Sequence, residues 1–161
     1  MAIDLHAHLA LGGEDAPPFM RKLFDVEGYL EAQEAAGLEM TVLSNALADL
    51  EGTDAELDEA KRQHDFLGEL MAARPGRIAA LAGVDPFGGD GWLEEARRAL
   101  DSGFAGLCFP TSRNGQYLDS PDAQDACALV DERGARGFVH PSQSPVGADR
   151  FGHGMLVGWV G

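Results

Sequence analysis

The first apolar stretch of the chain carries three polar side chains at alternate positions, Asp4, His6 and His8. Residues 3–8 are predicted to form a β-strand, and side chains alternate between the two faces of a strand, so these three share one face. Two neutral imidazoles spaced roughly 6–7 Å apart along a strand can bind one metal ion. The spacing therefore predicts a divalent metal site at His6 and His8. The alternative is that both histidines bind only water or backbone carbonyls.

The remaining pattern shows how such a strand would be held. Its other face carries apolar side chains that are expected to pack on helices, namely Ile3, Leu5 and Ala7. Four more strands are predicted at residues 40–47, 78–84, 106–109 and 138–140. A loop over residues 12–24 precedes the first of four predicted helices, at residues 26–36, 55–73, 92–101 and from Ser120-Pro121 to just before Gly134. Alternating strands and helices predict an α/β fold with parallel strands, and we expect one domain over residues 1–161.

Composition limits the kinds of partner. The net charge is −15, and such an acidic surface repels nucleic acid and anionic membranes, so we expect neither as a partner. No apolar run approaches the ~18 residues of a membrane span, and the N-terminus does not resemble a signal peptide. The two cysteines, Cys108 and Cys127, form no recognisable disulfide framework, which favours a reducing cytoplasm.

The first-strand motif Ile3-Asp4-Leu5-His6-Ala7-His8 resembles that of the amidohydrolase superfamily. The best match is the amidohydrolase-related branch that includes aminocarboxymuconate-semialdehyde decarboxylase and the dihydroxybenzoate decarboxylases. Three later stretches resemble the same branch in order and spacing: residues 74–78 at the entry to the third strand, residues 96–107 with the helix and the following Gly-Phe-x-Gly motif, and Gly137-Phe138-Val139-His140-Pro141 at the fifth strand. The resemblance implies an incomplete TIM barrel, a parallel (β/α) barrel with about five of eight strands present.

The resemblance also implies a metal site and a reaction class. The family's ligands match His6, His8 and His140 in this chain, and the expected cofactor is one divalent ion, zinc or alternatively manganese. No lysine follows Lys61, so a carbamylated lysine that bridges two metals is not expected. The implied activity is hydrolysis or decarboxylation of a small molecule with a carboxylate or carbonyl group. The sequence leaves these two reactions open.

Other family features have no counterpart. A complete barrel typically needs about 250 residues, and neither the family's sixth-strand His nor its eighth-strand Asp has a match here. His153 lies too early to replace that histidine and is predicted to be in a loop. We therefore expect a fragment of a longer reading frame that is inactive alone, with two open sheet edges through which copies could associate. A naturally short protein that dimerises, or a non-catalytic interaction module without metal, is the alternative.

Three polar residues are predicted to contact substrate because they lie near the carboxyl ends of the second, third and fourth strands: Asn45, Asp85 and Thr111. Turn or capping roles are the alternative for the first two of them. Arg113 and Asn114 follow in the next loop and could meet a substrate carboxylate, whereas His64 and Cys108 are expected to be buried packing residues.

Two rival families fit less well. A polymerase-and-histidinol-phosphatase type domain opens with a similar motif but also needs a Thr-Asp-His-like motif, and residues 41–49 contain no histidine. A DNase-like barrel would carry Gly-Glu-x-Gly, which is absent from the sequence.

Overall fold

The computed structural model describes residues 2–12, 17–18, 20–45 and 51–141. Five strands form one parallel sheet in the order β1-β2-β3-β4-β7. They are β1 (Ile3–Ala7), β2 (Met40–Ser44), β3 (Ile78–Gly83), β4 (Gly106–Pro110) and β7 (Arg136–His140), and a separate hairpin consists of β5 (Ser112–Arg113) and β6 (Gln116–Tyr117). The helices are α1 (Val26–Ala35), α2 (Asp54–Ala73), α3 (Asp90–Asp101) and α4 (Gln124–Glu132). The predicted alternation of parallel strands and helices is confirmed.

The sheet is strongly curled. β1 and β7 lie at its opposite edges, and in a flat sheet four steps of ~4.8 Å would separate them by roughly 19 Å. The imidazole centroids of His6 on β1 and His140 on β7 are nevertheless 5.0 Å apart. Such curvature is that of a barrel wall, in which opposite strands direct side chains toward a common axis. The chain therefore folds as a partial TIM barrel, as the sequence predicted.

Local signals fix the helix ends. The Asp25 carboxylate accepts the Gly28 N–H at 2.9 Å and caps α1. Thr53 and Glu56 form a reciprocal capping box at the start of α2, in which the Glu56 carboxylate accepts the Thr53 N–H at 2.6 Å. Gly103, which follows α3, has a φ of +94°, a conformation that other residues rarely adopt. α1, α2 and α3 begin and end within about two residues of their predicted positions, whereas α4 begins at Gln124, after a 3-10 turn over Pro121–Ala123.

The apolar core lies between the sheet and its helices. Leu43 on β2, Ala82 on β3 and Leu107 on β4 are fully buried, and Leu67 and Trp92 pack against them from α2 and α3. At the far edge β7 approaches β4 so closely that a Cβ atom on Gly106 would overlap the Arg136 carbonyl oxygen. The pairing of the fifth parallel strand therefore depends on glycine at this position.

The first strand differs from its prediction in two ways. β1 ends at Ala7, and the register with β2 shifts between Asp4 and Ala7, which marks an irregularity such as a β-bulge. Leu5 is 69% exposed, so the expectation that it packs under helices is wrong. The physical reason is that β1 is an edge strand, with no described element covering this side chain.

Other differences are smaller. β2 ends at Ser44, earlier than the predicted end at residue 47, and β7 begins at Arg136 instead of residue 138. The hairpin β5–β6 was not predicted, although Asn114 and Gly115 have φ values of +50° and +80°, as Asn-Gly does in tight hairpin turns. His153 lies outside the described residues. None of the helices in the described ranges is long and apolar enough to cross a bilayer.

Candidate metal centre

Three histidines from the two edge strands converge at the carboxyl end of the sheet. His6 lies on β1, His8 follows that strand directly, and His140 ends β7. One ligand nitrogen from each residue lies within 4.8 Å of the others. The ring centroids of His6 and His8 are 4.5 Å apart, and each is 5.0 Å from that of His140. The carboxyl ends of the strands are where TIM barrels build their active sites.

Hydrogen bonding fixes the tautomer of His8. Its Nδ1 lies 2.8 Å from the backbone carbonyl oxygen of Ser44, which can only accept, so Nδ1 donates its hydrogen there. The Nε2 atom of the neutral ring then carries a lone pair, and it lies 3.2 Å from Nε2 of His140. Metal-binding histidines usually donate their second nitrogen in this manner. The orientation of His8 is therefore that of a ligand.

The spacing of the nitrogens fits a small divalent cation. With Zn–N distances of ~2.0–2.1 Å, two imidazole nitrogens on one zinc lie roughly 2.8–3.4 Å apart in octahedral to tetrahedral arrangements. The observed 3.2 Å between the Nε2 atoms of His8 and His140 falls in that interval. Three imidazoles also leave coordination positions open, as catalytic sites do. His8 and His140 therefore have the spacing of two ligands on one divalent ion, and His6 offers a third nitrogen within 4.8 Å of both.

The local environment favours neutral imidazoles. Burial lowers the pKa of His6, the neighbouring His8 and His140 lower it further, and Asp4 partly opposes the effect. Burial and the adjacent His8 likewise lower the pKa of His140, and a hydrogen bond to the Pro141 backbone opposes them. A lowered pKa keeps the nitrogen lone pairs available near neutral pH, which metal binding requires.

Ser44 is a neighbour of the centre that the sequence reasoning missed. Its side chain is fully buried, and its hydroxyl lies 3.3 Å from Nδ1 of His8. Ser44 also hydrogen-bonds the Cys108 side chain, whose pKa burial raises to about 11. The signal was a polar residue at the carboxyl end of an otherwise apolar strand. Cys108 itself is buried, as expected.

Asn45 has a structural contact at the predicted pocket wall. It is 5% exposed, and its side-chain oxygen accepts the Gly83 N–H at 2.9 Å, which ties the end of β2 to the end of β3. Its Nδ2 atom is buried and has no hydrogen-bond partner among the described residues. This amide nitrogen keeps a donor available, and a substrate contact through it stays a prediction.

Asp85 is paired with Arg113. One carboxylate oxygen accepts the Phe87 N–H at 3.0 Å, and the other binds the Arg113 guanidinium. Burial raises the pKa of Asp85, whereas the Phe87 N–H and Arg113 lower it and Glu56 raises it. The turn role that was weighed for Asp85 is therefore present, and contact of either residue with substrate stays a prediction.

Thr111 lies beside the third histidine. Its N–H donates to the His140 carbonyl oxygen at 3.0 Å and extends the β4–β7 pairing by one residue. The structure thus places Asn45, Asp85 and Thr111 at the ends of β2, β3 and β4, as predicted. It pairs Asp85 with Arg113 rather than leaving both open to a ligand.

His64 is buried away from the three histidines. Nδ1 lies 2.5 Å from the Glu95 carboxylate, and Nε2 lies 3.1 Å from the Gly83 carbonyl oxygen. The Glu95 carboxylate also accepts a hydrogen bond from Arg98, whose Nε donates at 2.7 Å. His64 is 1% exposed, so the prediction of a satisfied packing residue is confirmed.

Comparison with known proteins agrees with this geometry. The family model described as amidohydrolase matches residues 3–158 of the chain. The chain belongs to the amidohydrolase family. The family resemblance inferred from the sequence is thereby confirmed.

Two curated relatives of this amidohydrolase are decarboxylases. A gamma-resorcylate decarboxylase from Rhizobium sp. (strain MTP-10005) is 28% identical over 151 residues, which cover 85% of this chain and 46% of the relative. A 2-amino-3-carboxymuconate-6-semialdehyde decarboxylase from Dictyostelium discoideum is 28% identical over 106 residues, covering 65% of this chain and 29% of the relative. The chain spans less than half the length of either relative.

Solved structures share the fold. A 2,6-dihydroxybenzoate decarboxylase from Rhizobium superimposes with a TM-score of 0.78 and 27% identity over 97% of this chain and 55% of the other. A dihydroxybenzoic acid decarboxylase from Polaromonas, solved with bound manganese and 2-nitroresorcinol, gives a TM-score of 0.74 and 24% identity over 97% and 54%. At the latter identity the likeness establishes the fold.

Proposed function

We propose that this amidohydrolase supplies the three-histidine part of the metal centre of a decarboxylase that acts on a small aromatic carboxylic acid. The observation that carries the proposal is the convergence of His6, His8 and His140 within 4.8 Å from opposite edges of the sheet. Decarboxylation is preferred to hydrolysis because relatives at 27–28% identity, in sequence and in structure, are decarboxylases of dihydroxybenzoates.

The charge of the site supports a carboxylate substrate. Three neutral imidazoles leave the double positive charge of a divalent cation uncompensated, and an anionic ligand would complete the charge balance. When bound, the metal would polarise a substrate oxygen as a Lewis acid. His6, His8 and His140 would hold it, and the Ser44 carbonyl would keep His8 in the required tautomer.

Other residues of the chain would shape the pocket. We propose that Asn45 presents its buried amide nitrogen to the ligand. Thr111 would position the entrance of the pocket through the hydrogen bond that its N–H donates to the His140 carbonyl oxygen. Asp85 would act on the pocket wall through Arg113. Each of these roles is a positioning or binding role, and none moves a proton.

Proton transfer is assigned to groups beyond the five parallel strands. The family resemblance implies a sixth-strand His and an eighth-strand Asp, and the described strands end with His140 on β7. We therefore propose that turnover requires further polypeptide. The chain alone is proposed to bind metal and ligand without converting the ligand.

The identity of the metal is proposed from ligand chemistry. Imidazole ligands suit zinc, manganese, iron and cobalt. Zinc is the first proposal because it favours nitrogen ligands and few coordination positions. Manganese is the second, and it occurs in the Polaromonas decarboxylase that shares the fold.

Metal content of the purified chain tests the proposal. The parent chain, a His6→Ala/His8→Ala double variant and a His153→Ala control would be purified without chelator and analysed by plasma mass spectrometry. We expect about one zinc or manganese ion per chain in the parent and the control, and almost none in the double variant. Equal metal in all three proteins, or none in the parent, would contradict the proposed centre.

A ligand titration tests the substrate class. The metal-loaded chain would be titrated calorimetrically with 2,6-dihydroxybenzoate and, as a matched control, with 1,3-dihydroxybenzene, which lacks the carboxylate. Stronger binding of the carboxylate, lost after metal removal, is expected. Product analysis of the same mixtures would show whether the chain releases CO₂, and turnover would contradict the assignment of proton transfer to other polypeptide.

A further inference from the structure

The Arg113 side chain joins two loops at the carboxyl end of the sheet. Arg113 is the last residue of β5 and lies directly before the Asn114-Gly115 turn of the β5–β6 hairpin, which follows β4. One guanidinium nitrogen donates to the Asp85 carboxylate, and Nη2 donates to the Phe87 carbonyl oxygen at 2.7 Å. The guanidinium also lies 5.5 Å from the Phe87 ring centroid. Arg113 thus bonds both the side chain and the backbone of the loop after β3.

A third loop meets the same guanidinium. Gly52 precedes α2 and has a φ of +83°, and a Cβ atom at this position would overlap Nη1 of Arg113. The guanidinium therefore packs directly on the backbone of residue 52. Arg113, in the loop that follows β4, thus contacts the segment directly before α2 and the loop that follows β3.

The pair is buried and electrically balanced. The Asp85 side chain is 0% exposed and that of Arg113 is 14% exposed. The second Asp85 oxygen is satisfied by the Phe87 N–H at 3.0 Å. Removal of either partner would leave an uncompensated buried charge, which is strongly unfavourable. The two side chains therefore act as one unit.

The unit is connected to the metal centre through the backbone. Thr111 donates its N–H to the His140 carbonyl oxygen at 3.0 Å and stands two residues before Arg113. Asp85 itself binds the guanidinium. Two of the residues proposed for the pocket wall, Asp85 and Thr111, are thus within two residues of a contact made by Arg113.

We propose that Arg113 is a positioning residue that ties the loop after β3 and the segment directly before α2 to the loop after β4, and so fixes one side of the ligand pocket beside the three histidines. The inference rests on the proposed function and deepens it. Lysine cannot replace arginine in this role, because a single ammonium cannot bond Asp85 and the Phe87 carbonyl in the planar, forked geometry of a guanidinium.

The test compares Arg113→Lys and Arg113→Gln with matched Arg97→Lys and Arg97→Gln controls. Arg97 is an exposed arginine of α3 without an ion pair to any described residue. Three quantities would be measured on the full chain: amide hydrogen exchange, zinc affinity, and affinity of the zinc-loaded chain for 2,6-dihydroxybenzoate.

In both Arg113 variants we expect amide exchange at residues 51–53 and 87–89 to rise about tenfold, equivalent to ~1.4 kcal/mol. We also expect 2,6-dihydroxybenzoate to bind about tenfold more weakly. Zinc affinity should stay within about twofold of the parent, because the ligands lie on β1 and β7. Parent-like behaviour of Arg113→Lys would overturn the proposal. So would a joint loss of zinc affinity and thermal stability, since Arg113 would then support the whole fold.

Failure of the proposed function would look different. If the zinc-loaded parent chain does not bind 2,6-dihydroxybenzoate, the ligand part of the proposed function is wrong. The exchange comparison alone then tests the role of Arg113. Faster exchange at residues 51–53 and 87–89 in the Arg113 variants would still support that role, and unchanged exchange would overturn it.

Discussion

The Nε2 atoms of His8 and His140 lie 3.2 Å apart although the two residues belong to opposite edges of a five-stranded sheet. Their chain positions are separated by 132 residues. Only the curvature of the sheet brings them together, so the metal centre depends on correct pairing of every intervening strand. Metal binding at this centre therefore tests whether all five strands of the sheet pair correctly.

His140→Ala tests this coupling. Loss of one of three imidazoles should weaken zinc binding by more than the 10–100-fold typical when a residue that only hydrogen-bonds a ligand is changed. Zinc at about 100 times its dissociation constant should stabilise the parent by ~2.7 kcal/mol and raise its melting temperature by roughly 5–10 °C. We expect this increment to disappear in His140→Ala, as measured by calorimetry with and without zinc. An unchanged increment would place the zinc elsewhere.

Much of the fold and the ligand set was predictable from sequence. The alternation of apolar and amphipathic segments predicts the five strands of the parallel sheet and the four helices that the structure contains. His140 was predicted only through the family resemblance, because nothing local distinguishes it from an ordinary strand-end histidine. The structure then places it beside the first-strand pair.

Other features depend on contacts that sequence patterns do not encode. The register shift in β1 and the exposure of Leu5 follow from the position of that strand at the sheet edge. The Asp85–Arg113 pair joins residues 28 positions apart, and nothing in either segment specifies the other. Ser44 contacts His8 because β2 is the neighbour of β1, which is a tertiary fact.

Gly106→Ala is expected to destabilise the chain by about 1–3 kcal/mol or more, because the added Cβ would overlap the Arg136 carbonyl oxygen across the β4–β7 pairing. Gly68→Ala is the matched control, since a Cβ there meets nothing within 4 Å inside helix α2. The control should gain up to about 1 kcal/mol from helix propensity. Urea unfolding of the three proteins measures both effects. Equal free energies of unfolding would show that β7 can shift away from the added Cβ without loss of stability.

The lowered pKa of Glu95 predicts that the chain loses stability in acid. Hydrogen bonds and charges from His64 and Arg98 outweigh the desolvation of its carboxyl group and lower its pKa from 4.5 to about 2. A folded-state pKa below the unfolded value gives stability that is present above pH ~4.5 and is lost as the pH falls toward 2. The free energy of unfolding should therefore decline through this interval.

Glu95→Gln separates this carboxyl group from the other acids of the chain. The variant should be less stable at pH 7. Its stability should change less between pH 5 and pH 3 than that of the parent, by roughly 1.4 kcal/mol for each pH unit below 4.5 in that interval. Glu94→Gln, an exposed neighbour on the same helix, is the control and should follow the parent. Parallel pH profiles for parent and Glu95→Gln would contradict the assignment.

The two edge strands predict self-association. Leu5 on β1 is 69% exposed and Val139 on β7 is 46% exposed, and each lies on a strand with one unpaired edge among the described residues. Edges of this kind pair with other chains unless charged residues prevent it. Light scattering after size-exclusion chromatography should show dimers or larger species whose fraction rises with protein concentration.

Leu5→Lys and Val139→Lys should each weaken association by about tenfold or more, equivalent to ~1.4 kcal/mol. Leu11→Lys, at a loop residue that is 48% exposed, should leave it unchanged. A parent chain that stays monomeric at all concentrations would show that these edges are protected.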